Sequence, residues 1–358
     1  MIKMFLQLFA DAGTLVNATT GYVNAYTGDK ANFDSVNTMN PTLKQYYDTE
    51  LLENARVEMY YAQFAQKQPL PANHGRTVEW RKWNTFAKAG KLQEGVIPTG
   101  QKFGMSSKTG SIEQYGTYAS ITDVLELHAY DPVILGATEE MGASAAETQE
   151  ALIRDALLVN TNVMYCDNIT LATGASAGTP TTAAAMEAST TVMALLTPDM
   201  VAKAVTKLKK DRVPTIGGKY YAVIHPSVAY DLRKSEAWID AHKYAKPEEI
   251  YNGEIGELHG CRFIENTFAP VLKGEYVNKA GTASYATYFF GKDSFGIIDP
   301  EGGALEMIVK SKEQAGGPLN QYSTIGYKFE TNGATILYPE RVLRVMSTSS
   351  YSAIDDQN

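Results

Sequence analysis

The 358-residue sequence predicts an α+β fold made of projections as much as of core: an N-terminal arm, an extended ribbon, a long helix, an inserted α/β unit and returning strands. Three observations carry this. Two strand-like runs, "RTVEWRKWNTF" and "GSIEQYGTYASITDVLEL", flank a glycine-rich stretch too long for a tight turn. Apolar residues then recur at helical spacing from Ile134 through Met141, Ala145, Leu152, Ala156 and Val159 to Val163. A strand, turn and helix, "KYYAVIHPSVAYDLRKS", follow a segment of small residues.

Taken in order, residues 1–40 are polar and aperiodic, an arm that buries little by itself. Asn40-Pro41 is a cap-plus-proline start, and Leu43, Tyr47, Leu51, Ala55, Met59 and Ala62 give the helix that follows one apolar face. "PLPANHG" breaks it. The two strand runs beyond predict a two-stranded ribbon with a mobile tip, carrying Arg76, Arg81, Lys82, Lys88, Lys91, Lys102 and Lys108 against only Glu79 and Glu94. Such a basic projection on an acidic chain reads either as a solvated hairpin or as a reach over an acidic neighbouring subunit, and on the second reading these seven residues are the candidate inter-subunit contacts.

Asp131-Pro132 repeats the start signal for a helix running to about Thr170, on the order of 60 Å at the usual rise per residue. "LATGASAGTPTTAAAMEASTT" has the composition of a flexible connection and predicts a domain boundary. Thr197-Pro198 starts the next helix, with Lys207, Lys209, Lys210 and Arg212 at its end, where cations complement the helix dipole. "YATYFFGKDSFGIIDP" and "ALEMIVKS" predict strands, and Asn332-Gly333 predicts a hairpin between two more.

Composition bounds the function. With 44% hydrophobic and 20% charged residues the chain is folded, without collagen-like or coiled-coil bias. A net charge of -8 argues against bulk electrostatic binding of nucleic acid. Cys166 and Cys261 are too few for a disulfide framework and read as free thiols. "MIKMFLQLFADAG" reads as mature protein, its apolar run interrupted by Gln7, and no run approaches the roughly 18 residues of a membrane span, so no membrane partner is expected.

Catalytic constellations are not found. Gly253, Gly256 and Gly260 of "YNGEIGELHGCRFIEN" match neither phosphate-binding fingerprint, and their expected role is in backbone turns. His259 and Cys261 lack a second ligand pair at zinc spacing. His225 precedes Pro226-Ser227, but no nucleophile elbow surrounds Ser227, which is placed to cap the next helix. His74, His128 and His242 stand alone, and nothing selects a carboxylate pair. The expectation is no catalytic, cofactor or metal site.

Against this background a series of motifs is informative. "LQLFAD", "YYDTELLENAR", "PLPANHGRTVEWRKWNTF", "LQEGVIPTG", "YGTYASITDVLEL" and "ETQEALIRDALL" resemble, in order, the major capsid proteins of tailed bacteriophages, specifically the N4-like major capsid family. "YAVIHPSVAYDLR", "GEIGELHGCRFIEN", "YFFGKDSFGIID" and "GPLNQYSTIGYKFETNGATILYPERVLRV" continue the resemblance, which spans about Pro41 to Met346. It implies the Hong Kong 97-type phage major capsid fold: arm 1–40, a peripheral domain opening with a helix at 41–75, an extended β-hairpin loop at 76–125, and spine helix and linker at 126–194. An α/β axial domain at 195–318, returning peripheral strands at 319–348 and a tail at 349–358 complete it.

The implied function is that of a major capsid protein, a non-enzymatic subunit forming hexamers and pentamers of an icosahedral shell in the virion, assembled in the host cytoplasm around double-stranded DNA. Implied partners are other copies of the chain, a portal protein and a separate scaffolding protein, since the arm leaves little room for a fused scaffold; there is also room for a decoration protein. An acidic lining would contact packaged DNA only weakly. In some members of the wider fold a loop lysine cross-links to an asparagine; no motif here licenses that transfer. Two rivals stand beside this reading: an encapsulin-type nanocompartment shell, and a cytosolic α/β enzyme using His225, His259 or Cys261.

Overall fold

The computed structural model describes residues 60–358 except 85, 92–93, 96, 98–99, 129–132, 236–237, 239–255, 275, 304 and 316–318. The arm, nearly all of the helix expected from Asn40, the Asp131-Pro132 start signal and Gly253 lie outside the described residues.

After a single 3-10 turn at Tyr61–Phe64, the chain forms β1 (Gln66–Leu70), β2 (Thr77–Trp83), β3 (Met105–Ser111), β4 (Glu113–Thr122), helix α1 (Asp123–His128) and the long helix α2 (Val133–Leu158). Short strands β5 (Val163–Tyr165), β6 (Asn168–Thr170), β7 (Ser176–Gly178) and β8 (Val192–Met193) precede α3 (Pro198–Lys210), β9 (Tyr220–Ile224) and α4 (Pro226–Lys234). The remaining strands are β10 (Glu257–Leu258), β11 (Cys261–Glu265), β12 (Val271–Leu272), β13 (Ser284–Phe290), β14 (Phe295–Pro300), β15 (Glu306–Lys310), β16 (Tyr322–Thr331), β17 (Thr335–Ile336) and β18 (Val342–Ser347).

The central sheet runs β10-β11-β9-β13-β18-β5, with β12 on β13. All seven residues of β13 are buried, because both faces of the sheet are covered. Tyr285 and Phe289 face α3 and α4, whereas Tyr288 and Phe290 face Ile153 and Leu157 of α2 together with Tyr61 and Phe64. A second sheet, β15-β16-β4, packs Ile121, Met307, Ile325 and Phe329 against Ala145, Met141 and Leu152 of α2. One helix therefore braces two sheets, which is the strut its apolar spacing predicts.

Thr197 caps α3 by accepting from Met200 N at 3.4 Å, and Lys207, Lys209 and Lys210 close that helix as expected. Other expectations give way to tertiary contacts. The long helix stops at Leu158 rather than about Thr170, giving about 39 Å. Past its end Asn160 Nδ2 donates to Val342 O at 2.6 Å and Asn162 Nδ2 to the same oxygen at 3.1 Å, so the chain turns and β5 joins β18 in parallel. The small-residue connection is built into a three-stranded sheet, β7-β6-β8, of which β7 lies within it and β6 and β8 flank it. Asn168 ties it by donating to Ala185 O and accepting from Glu187 N, and Met186 is buried in the main core.

"DVLEL" is helical rather than extended, since Thr122 Oγ1 accepts from Leu125 N and starts α1. "QKQPL", read with the end of a helix and its breaker, is the parallel edge strand β1 beside β14, where Pro69 is tolerated. The strands around Asn332-Gly333 do not form a hairpin: β16 pairs with β15 and β4, whereas β17 pairs with β14. Asn332 Oδ1 instead accepts from Ile298 N at 2.8 Å, and its Nδ2 donates to Thr335 Oγ1, anchoring the crossing between sheets.

Candidate subunit-contact surface

The ribbon is β2 paired antiparallel with β3, from Thr77 opposite Ser111 to Trp83 opposite Met105. Its second strand is "MSSKTGS", not the downstream run; Glu113–Thr122 pairs with β16 in the body instead. Both strands are exposed on both faces apart from Val78, Trp80 and Gly110, so no core of their own backs them. Beyond Asn84 N donating to Gly104 O, the Gln101 side chain replaces the strand ladder, accepting from Ala87 N at 2.8 Å and donating to Ala87 O at 3.1 Å.

At its root the ribbon is fixed to its own body. The Trp80 indole lies so close to Gly296 of β14 that an added Cβ there would sit 2.8 Å from its ring. Lys82 Nζ is 3.3 Å from Glu340 and 4.4 Å from the Tyr338 ring centre, and the Arg341 guanidinium covers the same ring at 3.7 Å. Burial pushes the Glu340 carboxyl up, but hydrogen bonding and the Lys82 charge outweigh this and hold it below the ordinary carboxylate value.

The seven basic candidates thus divide. Arg81 pairs with Glu79 on its own strand at 3.1 Å, and Lys82 is spent on Glu340. Arg76, Lys88, Lys91, Lys102 and Lys108 are exposed, and none of them forms an ion pair among the described residues. Sequence reasoning missed the aromatic residues between them. Trp83 stacks on Phe103 with ring centres 4.3 Å apart, Phe86 stacks on Phe103 at 5.4 Å, and the three remain 61%, 54% and 59% exposed. The available signal was three large aromatic side chains in a segment with no other reason to carry them.

Among the residues weighed for chemistry, His225, Ser227, His259 and Cys261 take part in a helix cap, a turn and a strand, and His242 lies outside the described residues. His225, not Ser227, is the N-cap of α4, its Nδ1 accepting from Ser227 N at 3.2 Å. Ser227 Oγ donates to Asp355 Oδ2 at 2.9 Å, and Tyr285 donates to the same oxygen at 2.6 Å. Burial pushes the His225 pKa down, with the Asp355 charge opposing. Asp231 of α4 accepts from Ser349 Oγ at 3.0 Å, from Ser350 N at 2.8 Å and from Ser350 Oγ, so two carboxylates clasp the C-terminal segment. His259 and Gly260, with φ of 53° and 79°, form the two-residue turn joining β10 to β11. Cys261 and Phe263 point inward and Arg262 outward, as strand alternation predicts, and burial raises both the Cys261 and Cys166 thiols.

Glu150 was not singled out by sequence. Almost wholly buried on α2, it accepts from Tyr60 N and from Tyr61 N at 3.2 Å, and fixes the point where the chain enters the described fold. Burial pushes its carboxyl up to about 7, opposed by those two backbone donors.

The fold matches the capsid of cyanophage Pam1 with a TM-score of 0.63 at 12% identity, covering 84% of this chain and 95% of that one. The capsid of cyanophage P-SCSP1u matches at 0.58 and 15% identity, covering 81% and 88%, and that of Helicobacter pylori bacteriophage KHP30 at 0.58 and 10%, covering 78% and 87%. No curated protein sequence matches. These are Hong Kong 97-type capsid structures, and the fold class of this chain is theirs. The model of the phage capsid protein family matches residues 106–336, from the second ribbon strand to β17, and the chain belongs to that family. It is a major capsid subunit whose role is structural, self-associating into the shell of a virion.

Proposed function

We propose that the chain is the major capsid protein of an N4-like tailed phage, forming hexamers and pentamers of an icosahedral head around double-stranded DNA. The observation that carries the reading is the ribbon. Residues 76–111 hold seven basic and two acidic residues, a net +5 that leaves -13 on the rest of a chain of net -8. A basic, uncored projection on an acidic body is complementary to another copy of itself. The ordered motifs of the N4-like resemblance support the narrower assignment, falling on β2, β4, the second half of α2, β9, α4, β10, β11, β13, β14 and the strands from β16 to β18.

In this reading the extended loop expected at 76–125 is the ribbon of residues 76–111, with β4 in the body, and 126–194 are the spine region, 195–318 the axial domain and 319–348 the returning strands. Arg76, Lys88, Lys91, Lys102 and Lys108 are the basic contacts left for a neighbour, whereas Arg81 and Lys82 serve the ribbon itself. Partners are a separate scaffolding protein, a portal protein and a decoration protein, with the packaged DNA held weakly. Electron microscopy of the purified full chain tests the reading. Hexamers, pentamers or shells are expected; a compact monomer whose ribbon resists protease would overturn it. Correct particles from this chain alone would remove the separate scaffold.

A further inference from the structure

We propose that the ribbon grips a second copy of this chain through an apolar anchor, the stacked rings of Trp83, Phe86 and Phe103 with Met105 beside them, while its lysines steer the approach. The inference rests on the reading of the ribbon as a subunit contact and assigns which residues hold that contact.

Among the described residues the rings pack on one another and on no core. Met105 pairs with Trp83 across the ribbon and is 47% exposed, so it extends the same apolar surface. Exposed single apolar residues are ordinary, but a contiguous stack rimmed by charge marks an interaction surface. A covered aromatic side chain removes roughly 150 to 250 Å² from water, and such rings dominate the energetics of interfaces. Exposed ion pairs contribute roughly 0 to 1 kcal/mol each and weaken with salt. The comparison favours the rings as the holding element, and two of the seven basic residues, Arg81 and Lys82, are already engaged at home. Charge selects the occupant: Lys88 and Lys102 flank the stack, and the remainder of the chain, at -13, is the acidic surface that this self-associating family supplies in every neighbouring copy.

The test uses the full chain, with sedimentation and electron microscopy following self-association at low salt and at about 0.3 M salt. Phe86→Ser/Phe103→Ser is expected to raise the concentration needed for assembly by about tenfold or more at both salts. Lys88→Gln/Lys91→Gln/Lys102→Gln is expected to slow assembly mainly at low salt. Unchanged thermal unfolding establishes that both variants fold. Acrylamide quenching gives a direct readout, because Trp80 is half-buried and Trp238 buried, leaving Trp83 as the accessible indole. Its quenching should fall several-fold on assembly, and Trp83→Phe should abolish that change. If the ribbon gains hydrogen-exchange protection on assembly yet the aromatic variant assembles normally, or Trp83 stays quenchable, the anchor is refuted and the subunit-contact reading stands. If the ribbon gains no protection, both fail.

Discussion

Glu150 shows how one residue can place a pH dependence in a fold. Its folded pKa of about 7 lies above its ordinary 4.5, so the native state binds a proton that the unfolded chain has released. Stability from this group is fully present below pH 4.5 and declines as pH rises through about 7, by about 3 kcal/mol at most. Glu150→Gln keeps an oxygen for the Tyr60 and Tyr61 amides without a charge to bury. Thermal unfolding should find it more stable than wild type at pH 8 and nearly equal at pH 4.5. At the β10–β11 turn, Gly260→Val should cost on the order of 1 to 2 kcal/mol, because its φ of 79° disfavours any Cβ. Replacement of His259, at φ 53°, is not indifferent as its surface position suggests: Asn should be neutral, whereas Val should destabilise.

Among the elements, the ribbon root and the C-terminal segment depend on single close contacts. Gly296→Ala would drive a methyl into the Trp80 ring and should loosen the stem, seen as faster hydrogen exchange across β2 and β3. Asp231→Ala removes the acceptor for three donors on Ser349 and Ser350, and a loss of about 2 kcal/mol with protease cutting after residue 348 is expected. Asp355 behaves oppositely to Glu150. Burial raises its pKa, but the hydroxyls of Ser352, Tyr285 and Ser227 outweigh this and lower it. Its contribution is therefore present above the ordinary 3.8 and lost as pH falls through the lower folded value. Elements with strong local signals were legible: Thr197 and Pro198 start α3, and "YYAVI" and "YATYFF" are strands. Those that differ, such as the shortened α2 and the small-residue sheet, are set by Asn160 and Asn162 binding backbone far away in sequence and by Asn168 binding the backbone of Ala185 and Glu187.

For the whole molecule, an acidic body with a basic, aromatic-tipped ribbon is a subunit whose surface is completed by its neighbours. Assembly should bury more than roughly 2,000 Å² per subunit over all contacts, the scale of obligate interfaces. Hydrogen exchange in assembled and unassembled protein should differ most over residues 77–111 and little over β13, whose seven residues are already buried within one chain.

The sequence by itself determined the α+β class, the strut helix, the basic ribbon and the capsid resemblance, because helical spacing, β-branched runs and charge are local properties of the chain. Only the tertiary structure decided which basic residues remain available, that three rings stack with no core behind them among the described residues, and that Glu150 and Asp355 are held by buried partners. Each of these depends on contacts between residues separated along the chain: Lys82 with Glu340, Trp83 with Phe103, Glu150 with Tyr60, and Asp355 with Ser227. Spacing along a chain carries no trace of such pairings until the backbone brings them within hydrogen-bonding or van der Waals reach.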